Sequence, residues 1–309
     1  MVQVKCMDPR TSENYNFMYC PSFPAAVFFT SLFGLSLIAH VIQAMHYRKA
    51  FCWVLIMGAS WETAGFALRV MSVLNTTSIG FGIPSQLLIL LAPLWINAFL
   101  YVVMARLIHF FIPEKRVARI RAQRLSLIFV LLDITAFLVQ VVGGLMINPQ
   151  NSLKMMQLGI HIYMGGIGIQ QFFVILFTGL VIRYHVRMKQ VDVGNTLGWK
   201  RSLYTMYSCI VLITIRIVFR LIEFSAGLFS PLTMHEAPFY ATEALPMFLA
   251  LLVWNISHPG VILQGPDSEL PKKQKKSKKD KKASVSDEEK SLDHQQMLPL
   301  SSRAPSPPY

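Results

Sequence analysis

Cys209-Ile-Val-Leu-Ile-Thr-Ile-Arg-Ile-Val-Phe-Arg-Leu-Ile-Glu-Phe-Ser-Ala-Gly227 is apolar enough to lie in a bilayer, yet it carries Arg216, Arg220 and Glu223. The spacing is i, i+4 and i+7, so the three side chains share one helical face. On insertion scales an Arg or Asp at the centre of a membrane helix costs on the order of 2.5–3.5 kcal/mol. A chain that carries three charges on one stripe must turn that stripe toward other protein or toward water. The remaining helices are therefore expected to supply matching polar faces.

The whole chain reads the same way. Of its 309 residues 53% are hydrophobic and only 15% charged, and the mean hydropathy is +0.46. A soluble domain of this length is rarely so apolar, and the bilayer is its natural solvent. The net charge of +13 sits in short blocks between apolar segments and in the C-terminal part. That placement fits the positive-inside rule better than a nucleic-acid face. Residues 1–22 are polar without an apolar centre, so the first membrane helix is expected to insert by its own hydrophobicity. Cys6 and Cys20 share this segment, and a disulfide between them and two unpaired thiols are both open readings. No metal-ligand spacing is present, and no cofactor is expected.

Seven apolar segments have spanning length, at about 24–45, 52–74, 83–111, 124–147, 158–183, 203–226 and 238–258. The expected fold is an all-α integral membrane protein. Its parts are an extracytoplasmic segment (1–23), a seven-helix domain (24–263) and a disordered, Lys-rich cytosolic tail (264–309). Arg48 and Lys49, then Lys115, Arg116, Arg119, Arg121 and Arg124, then Arg183, Arg187, Lys189, Lys200 and Arg201 fall in alternate connections. Those connections and the C-terminus are expected in the cytosol, with the N-terminus outside. Asn75-Thr-Thr77 is a glycosylation sequon in the first outer connection, whereas Asn255-Ile-Ser257 lies inside helix seven and should be unused. The run from Lys272 to Lys282 begins about a dozen residues after helix seven. It is placed to hold the tail on anionic inner-leaflet lipid, at about 1 kcal/mol per Lys. A solvated tail that only sets topology is the plainer reading.

Helices two, four, five, six and seven carry the polar residues that concern the interior. Helix two has Glu62 and Arg69, helix four Asp133 and Gln140, helix five His161 and Gln170 around a glycine cluster, helix six the stripe quoted above, and helix seven Glu243 before Pro246. Each set is expected to keep to one stripe facing a common interior, with Glu62, Asp133, Glu223 and Glu243 balancing three arginines by mutual pairing. Ten residues form the candidate substrate site: Glu62, Arg69, Asp133, Gln140, His161, Gln170, Arg216, Arg220, Glu223 and Glu243. Arginines suit phosphate or carboxylate head groups, and an unpaired glutamate suits an amine or a proton. Ion pairs that merely fix helix packing are the competing explanation, although small residues and amides suffice for packing. His40 is expected to be an interior hydrogen-bonding residue, Trp61 and Trp95 packing residues, and Pro93 and Pro246 sites of kinks.

With these residues in place, the chain resembles the fungal RTA-like, or lipid-translocating exporter, family of seven-helix membrane proteins. The likeness covers about residues 19–263. It is carried by Tyr19-Cys-Pro-Ser22; by Glu62, Gly65 and Arg69; and by Leu91-Ala-Pro93, Tyr101 and Arg106. It continues through Asp133, Gln140 and Gly143-Gly144, the Arg216, Arg220, Glu223, Gly227 series, and His235-Glu236, Phe239-Tyr240, Glu243, Pro246-Met247 and His258-Pro-Gly260. The resemblance implies a fungal source, a role in lipid asymmetry through export of sphingoid long-chain bases, resistance to toxic amphiphiles, and residence in the plasma membrane, with endomembrane as the alternative.

Translocation of a membrane lipid or similar amphiphile through the polar interior is the function expected. Gly194-Asn-Thr-Leu-Gly198-Trp-Lys200 lacks the ending of a P-loop, so movement would be facilitated or coupled to protons through Glu62, Asp133 or Glu243. A receptor or stress sensor that regulates lipid asymmetry without carrying lipid is the alternative, on the strength of the seven-helix layout. An intramembrane metal hydrolase would need histidines converging at one depth, and His40, His161, His235 and His258 are scattered along the sequence. The chain is accordingly read as a non-enzyme.

Overall fold

A computed structural model of the chain describes residues 6, 17, 19–117, 120–147, 152–190, 198–227, 230 and 232–263. The Lys272–Lys282 run and the rest of the tail lie outside the described residues. Seven helices are long and apolar enough to cross a membrane. They are α1 (Phe23–Tyr47), α2 (Trp53–Leu74), α3 (Ile79–Phe111), α4 (Ala122–Met146), α5 (Leu153–Gln190), α6 (Gly198–Ser225) and the seventh span, α7 (Glu236–Val261). The chain is thus a multi-pass, all-α membrane protein. The seven expected segments are all present. The fifth is longer at both ends, because Leu153–Gln190 continues as helix past its apolar part into Arg183, Arg187 and Lys189.

Burial is inverted relative to a soluble protein. Phe28, Leu35, Ile38, Leu131, Leu138, Leu145, Phe172 and Ile175 are exposed, while Glu62, Arg69, Asp133, Arg216 and Glu243 are buried. Only a hydrocarbon solvent makes that arrangement favourable, since apolar side chains lose nothing there and charges lose their hydration.

Sequence neighbours pack side by side from α1 to α7, and α7 returns to α1. Asn255 closes this ring: its Nδ2 donates to Ser36 Oγ (2.8 Å), and its carbonyl accepts from Gln43 Nε2 (2.7 Å). The inner sequon is therefore occupied by helix packing. Helix α3 runs through the middle and also touches α5, α6 and α7, which is why Phe99, Tyr101, Met104, Leu107 and Ile108 are all buried. An odd number of crossings puts Ser22 and Leu263 on opposite faces of the membrane.

The glycines of α4 and α5 set the closest helix contact. A Cβ on Gly143 would lie 2.4 Å from the backbone nitrogen of Tyr163, and one on Gly166 would lie 2.9 Å from that of Gln140. Gly165 and Gly168 have open space around them and do not serve this contact. Two short strands, β1 (Arg116–Val117) and β2 (Ile120–Arg121), pair antiparallel between α3 and α4. Beside them the exposed Glu114 accepts a 2.7 Å bond from Arg187 at the end of α5. Its own backbone N–H and that guanidinium hold its carboxyl below the usual range.

In α7, Phe239–Ala244 forms a wide, π-helical turn. Pro246 has no N–H to give to the carbonyl of Thr242, so the regular ladder is interrupted just where Glu243 points inward. The kink expected at Pro246 takes this form. Trp53, Trp61 and Trp95 make a chain of edge-to-face contacts at 5.6–5.7 Å, as packing residues.

The glycine contact generates the first prediction. Gly143→Ala should push α4 and α5 apart and destabilise the fold by about 1–3 kcal/mol, lowering the melting temperature in detergent. Gly165→Ala should leave it unchanged. Equal melting of the two variants would contradict the packing described.

Candidate functional site

The stripe of α6 meets α7. Glu243 is bonded by both arginines: Arg216 through Nη2, and Arg220 through Nε (2.7 Å) and Nη2 (3.1 Å). All three residues are buried. Their bonds are charge-assisted and fork-like, the geometry that makes a buried arginine–carboxylate group tolerable. Glu223 lies one turn farther along α6. Its ion pair with Arg220 is long, 3.9 Å, and its side chain remains 22% exposed.

Arg69 of α2 forms a second centre. Its guanidinium lies 4.1 Å over the Phe239 ring, with Phe17, Tyr19 and Tyr240 close around it. It donates to the hydroxyls of Tyr19 (2.6 Å) and Tyr240 (3.2 Å) and pairs with Glu236 at 3.3 Å. Glu236 in turn accepts the backbone N–H of Ser22 at 2.7 Å. Burial pushes the Tyr19 phenol up, against the pull of Arg69. Arg69 thus ties the N-terminal segment, where Cys6 and Cys20 are joined as a disulfide, to α2 and α7.

A cavity of about 400 Å³ opens between these two centres. Its polar lining includes Arg69, Arg220, Glu223, Glu243 and His235, and Phe219, Phe224, Leu232 and Phe239 supply an apolar wall. Four of the ten candidate residues therefore share one cavity, and a fifth, Arg216, is bonded to Glu243 in its lining.

The other five lie elsewhere. Glu62 is 1% exposed and within electrostatic reach of Arg216 and Glu243. Both its carboxylate oxygens, and Arg216 Nε, lack a hydrogen-bond partner among the described residues. Asp133 accepts from Asn97 (3.1 Å) and Tyr101 (2.8 Å) across the α3–α4 contact. Gln140 donates to Gln170 at 3.0 Å across the α4–α5 contact. His161 is exposed on the outside of α5.

Two expectations need correcting. The balance of four acids against three arginines does not hold. Asp133 meets polar neutral groups, Glu62 meets no direct partner, and the acid of Arg69 is Glu236, which the candidate set omitted. Nor does α5 carry one polar stripe. His161 and Gln170 are nine residues apart, half a turn out of phase at 3.6 residues per turn, so they occupy opposite faces. The same count identifies Glu236, which sits seven residues before Glu243 and hence on its face. Tyr19, Tyr101 and Tyr240 stand in the segments that carry the resemblance, but neither they nor Asn97 follow from helical spacing, because their roles come from contacts between distant segments.

Comparison with known proteins agrees with this architecture. The family model described as "RTA1 like protein" matches residues 55–266. The chain belongs to the RTA1-like family. It is 40% identical over 274 residues to the probable lipid transporter atnI of Emericella nidulans, covering 84% of this chain and 72% of that protein. It is 28% identical over 272 residues to the lipid-translocating exporter-like protein RTA1 of Leptosphaeria maculans, covering 81% of this chain and 52% of that protein. It is 22% identical over 280 residues to the sphingoid long-chain base transporter RSB1 of Saccharomyces cerevisiae, covering 78% of this chain and 72% of that protein. No solved structure matches the chain.

The two glutamates of the cavity should respond differently to neutralisation. Glu243→Gln leaves two buried arginines short of their acid and should cost about 3–5 kcal/mol, seen as lost folded protein on size-exclusion chromatography in detergent. Glu223→Gln should melt like the wild type. A Glu243→Gln protein as stable as wild type would show that the arginines do not depend on that carboxylate.

Proposed function

We propose that this protein translocates a membrane amphiphile with an amine head group, of the sphingoid long-chain base type, and that the α2–α6–α7 cavity is where the head group is held. The observation that carries this reading is the division of labour between Glu243 and Glu223. Arg216 and Arg220 are engaged by Glu243, and Arg69 by Glu236 and two phenols. Glu223 alone offers a partly exposed carboxylate to the cavity. Both oxygens of Glu243 are engaged by arginine, whereas Glu223 keeps only its long pair with Arg220, so an ammonium finds an acceptor there. The volume suits a head group and the start of a chain along the apolar wall, within the usual range for small-ligand sites.

The names of relatives point the same way: a probable lipid transporter, a lipid-translocating exporter-like protein and a sphingoid long-chain base transporter. The cell-level role that follows is resistance to toxic amphiphiles, carried out at the plasma membrane, with an endomembrane as the alternative site. The reaction is movement rather than bond-making, so the chain is read as a carrier and not an enzyme. The Lys/Arg-rich connections support a cavity facing outward. In that orientation Asn75, exposed at the end of α2, is also outside and available for glycosylation. The Lys272–Lys282 tail then lies on anionic inner-leaflet lipid.

One observation favours a second reading, a receptor or stress sensor that binds the amphiphile without carrying it. Phe33, Phe66, Phe99 and Trp254 are fully buried within the bundle, and they pack in two pairs: Phe33 stacks on Phe66, and Phe99 meets Trp254 edge to face. Flux requires that core to open.

Transbilayer movement of a fluorescent sphingoid base in liposomes separates the two. Protein-dependent flux that falls at least tenfold in Glu223→Gln, while fluorescent phosphatidylcholine moves no faster than in protein-free liposomes, is the expected result. Folded protein that binds the base but moves none of it, with or without a proton gradient, would establish the sensor instead.

A further inference from the structure

A second cavity lies at the other end of the same helix pair. The outer cavity is lined by Arg220 and Glu223 of α6 and Glu243 of α7, and the second by Lys200, Arg201 and Tyr204 of α6 and Val253, Ile256 and Ser257 of α7. From Arg201 to Arg220 is roughly 28 Å at 1.5 Å per residue, close to the thickness of the hydrocarbon. The groove has a volume of about 1130 Å³. None of the described residues that line it is acidic.

Three features point to a ligand. Lys200 and Arg201 stand exposed at its rim in the first turn of α6, at the level of the membrane surface. Arg201 is anchored there, since one Nη2 hydrogen goes to the carbonyl of Ile256 at the end of α7, leaving its other N–H donors to face outward. The Ser257 hydroxyl is buried, lines the groove and has no hydrogen-bond partner among the described residues. A buried orphan hydroxyl beside two cations calls for an acceptor that brings negative charge.

We propose that this groove is a binding site for an anionic phospholipid of the adjoining leaflet. The phosphate and its charged head group sit against Lys200, Arg201 and the Ser257 hydroxyl, and the acyl chains run along Phe111, Val253 and Ile262. Charge complementarity selects this occupant. A cationic amine amphiphile is repelled by the same pair of residues, and a zwitterionic lipid brings a phosphate whose charge its own choline cancels, where an anionic lipid adds a net negative charge. The site does not depend on the function assigned to the outer cavity, and it is separate from any contact the Lys272–Lys282 tail makes with lipid.

The test uses the full-length protein in phosphatidylcholine nanodiscs containing a trace of photoactivatable phosphatidylserine, with the adducts located by peptide mass spectrometry. Adducts should fall on the start of α6 and the end of α7. Unlabelled phosphatidylserine should compete them away, and added phosphatidylcholine should not. At about 1 kcal/mol per basic residue near the surface, Lys200→Gln should lower labelling about fivefold, and Lys200→Gln with Arg201→Gln about thirtyfold. Ser208→Trp, which fills the groove from its exposed side and keeps both charges, should also abolish labelling there. Adducts elsewhere, including on residues 264–309, would overturn the proposal. So would equal competition by phosphatidylcholine, or unchanged labelling in folded Lys200→Gln protein.

Discussion

The buried carboxylate of Glu243 is what the rest of the bundle has to accommodate. It lies between Arg216 and Arg220, and none of the three would be tolerable at this depth alone. Holding them together fixes the rotation of α6 about its axis and brings α7 against it. The π-helical turn at Phe239–Ala244 is the local consequence, because it carries Glu243 through the stretch where Pro246 breaks the ladder. From that contact outward, one end of α6 and α7 encloses the cavity with Glu223, and the other end encloses the basic groove.

The Arg69 centre depends on a different constraint. A guanidinium surrounded by Phe17, Tyr19, Phe239 and Tyr240 is held by aromatic faces as well as by Glu236. It joins the N-terminal segment to α2 and to the start of α7, so the cavity has a wall made from three distant parts of the sequence. Of the arginines and glutamates that line the cavity, Arg69, Arg220 and Glu243 are held by short bonds across helices, and Glu223 keeps only its long pair with Arg220.

Much of this was legible in the sequence, and the failures have physical reasons. Hydropathy located all seven spans, because nothing else in a chain can satisfy its backbone in hydrocarbon. Helical spacing puts Arg216, Arg220 and Glu223 on one face, and two of the three charged cavity residues contributed by α6 and α7 follow from it. Periodicity says which way a residue points on its own helix and nothing about its partner. Hence Arg69 was assigned to a shared pool of charge when its acid is Glu236. Helical spacing makes Asp133 a member of the ion-pair set, whereas Asn97 and Tyr101 both donate to one of its oxygens and no arginine reaches it. His161 was grouped with Gln170 although the same 3.6-residue count places them on opposite faces. The glycines of α5 were read as one cluster, while only those facing α4 make the close contact.

The central claim is that Glu223 is the acceptor for an ammonium head group, while the arginines serve the fold. Equilibrium binding of a sphingoid base and of its N-acetylated derivative to the purified protein tests it most directly. The account predicts that the free base binds, that the acetylated form, lacking the charge, binds at least tenfold more weakly, and that Glu223→Gln removes the difference. Equal affinity for the two compounds in wild-type protein, or an undiminished preference in Glu223→Gln, would contradict it.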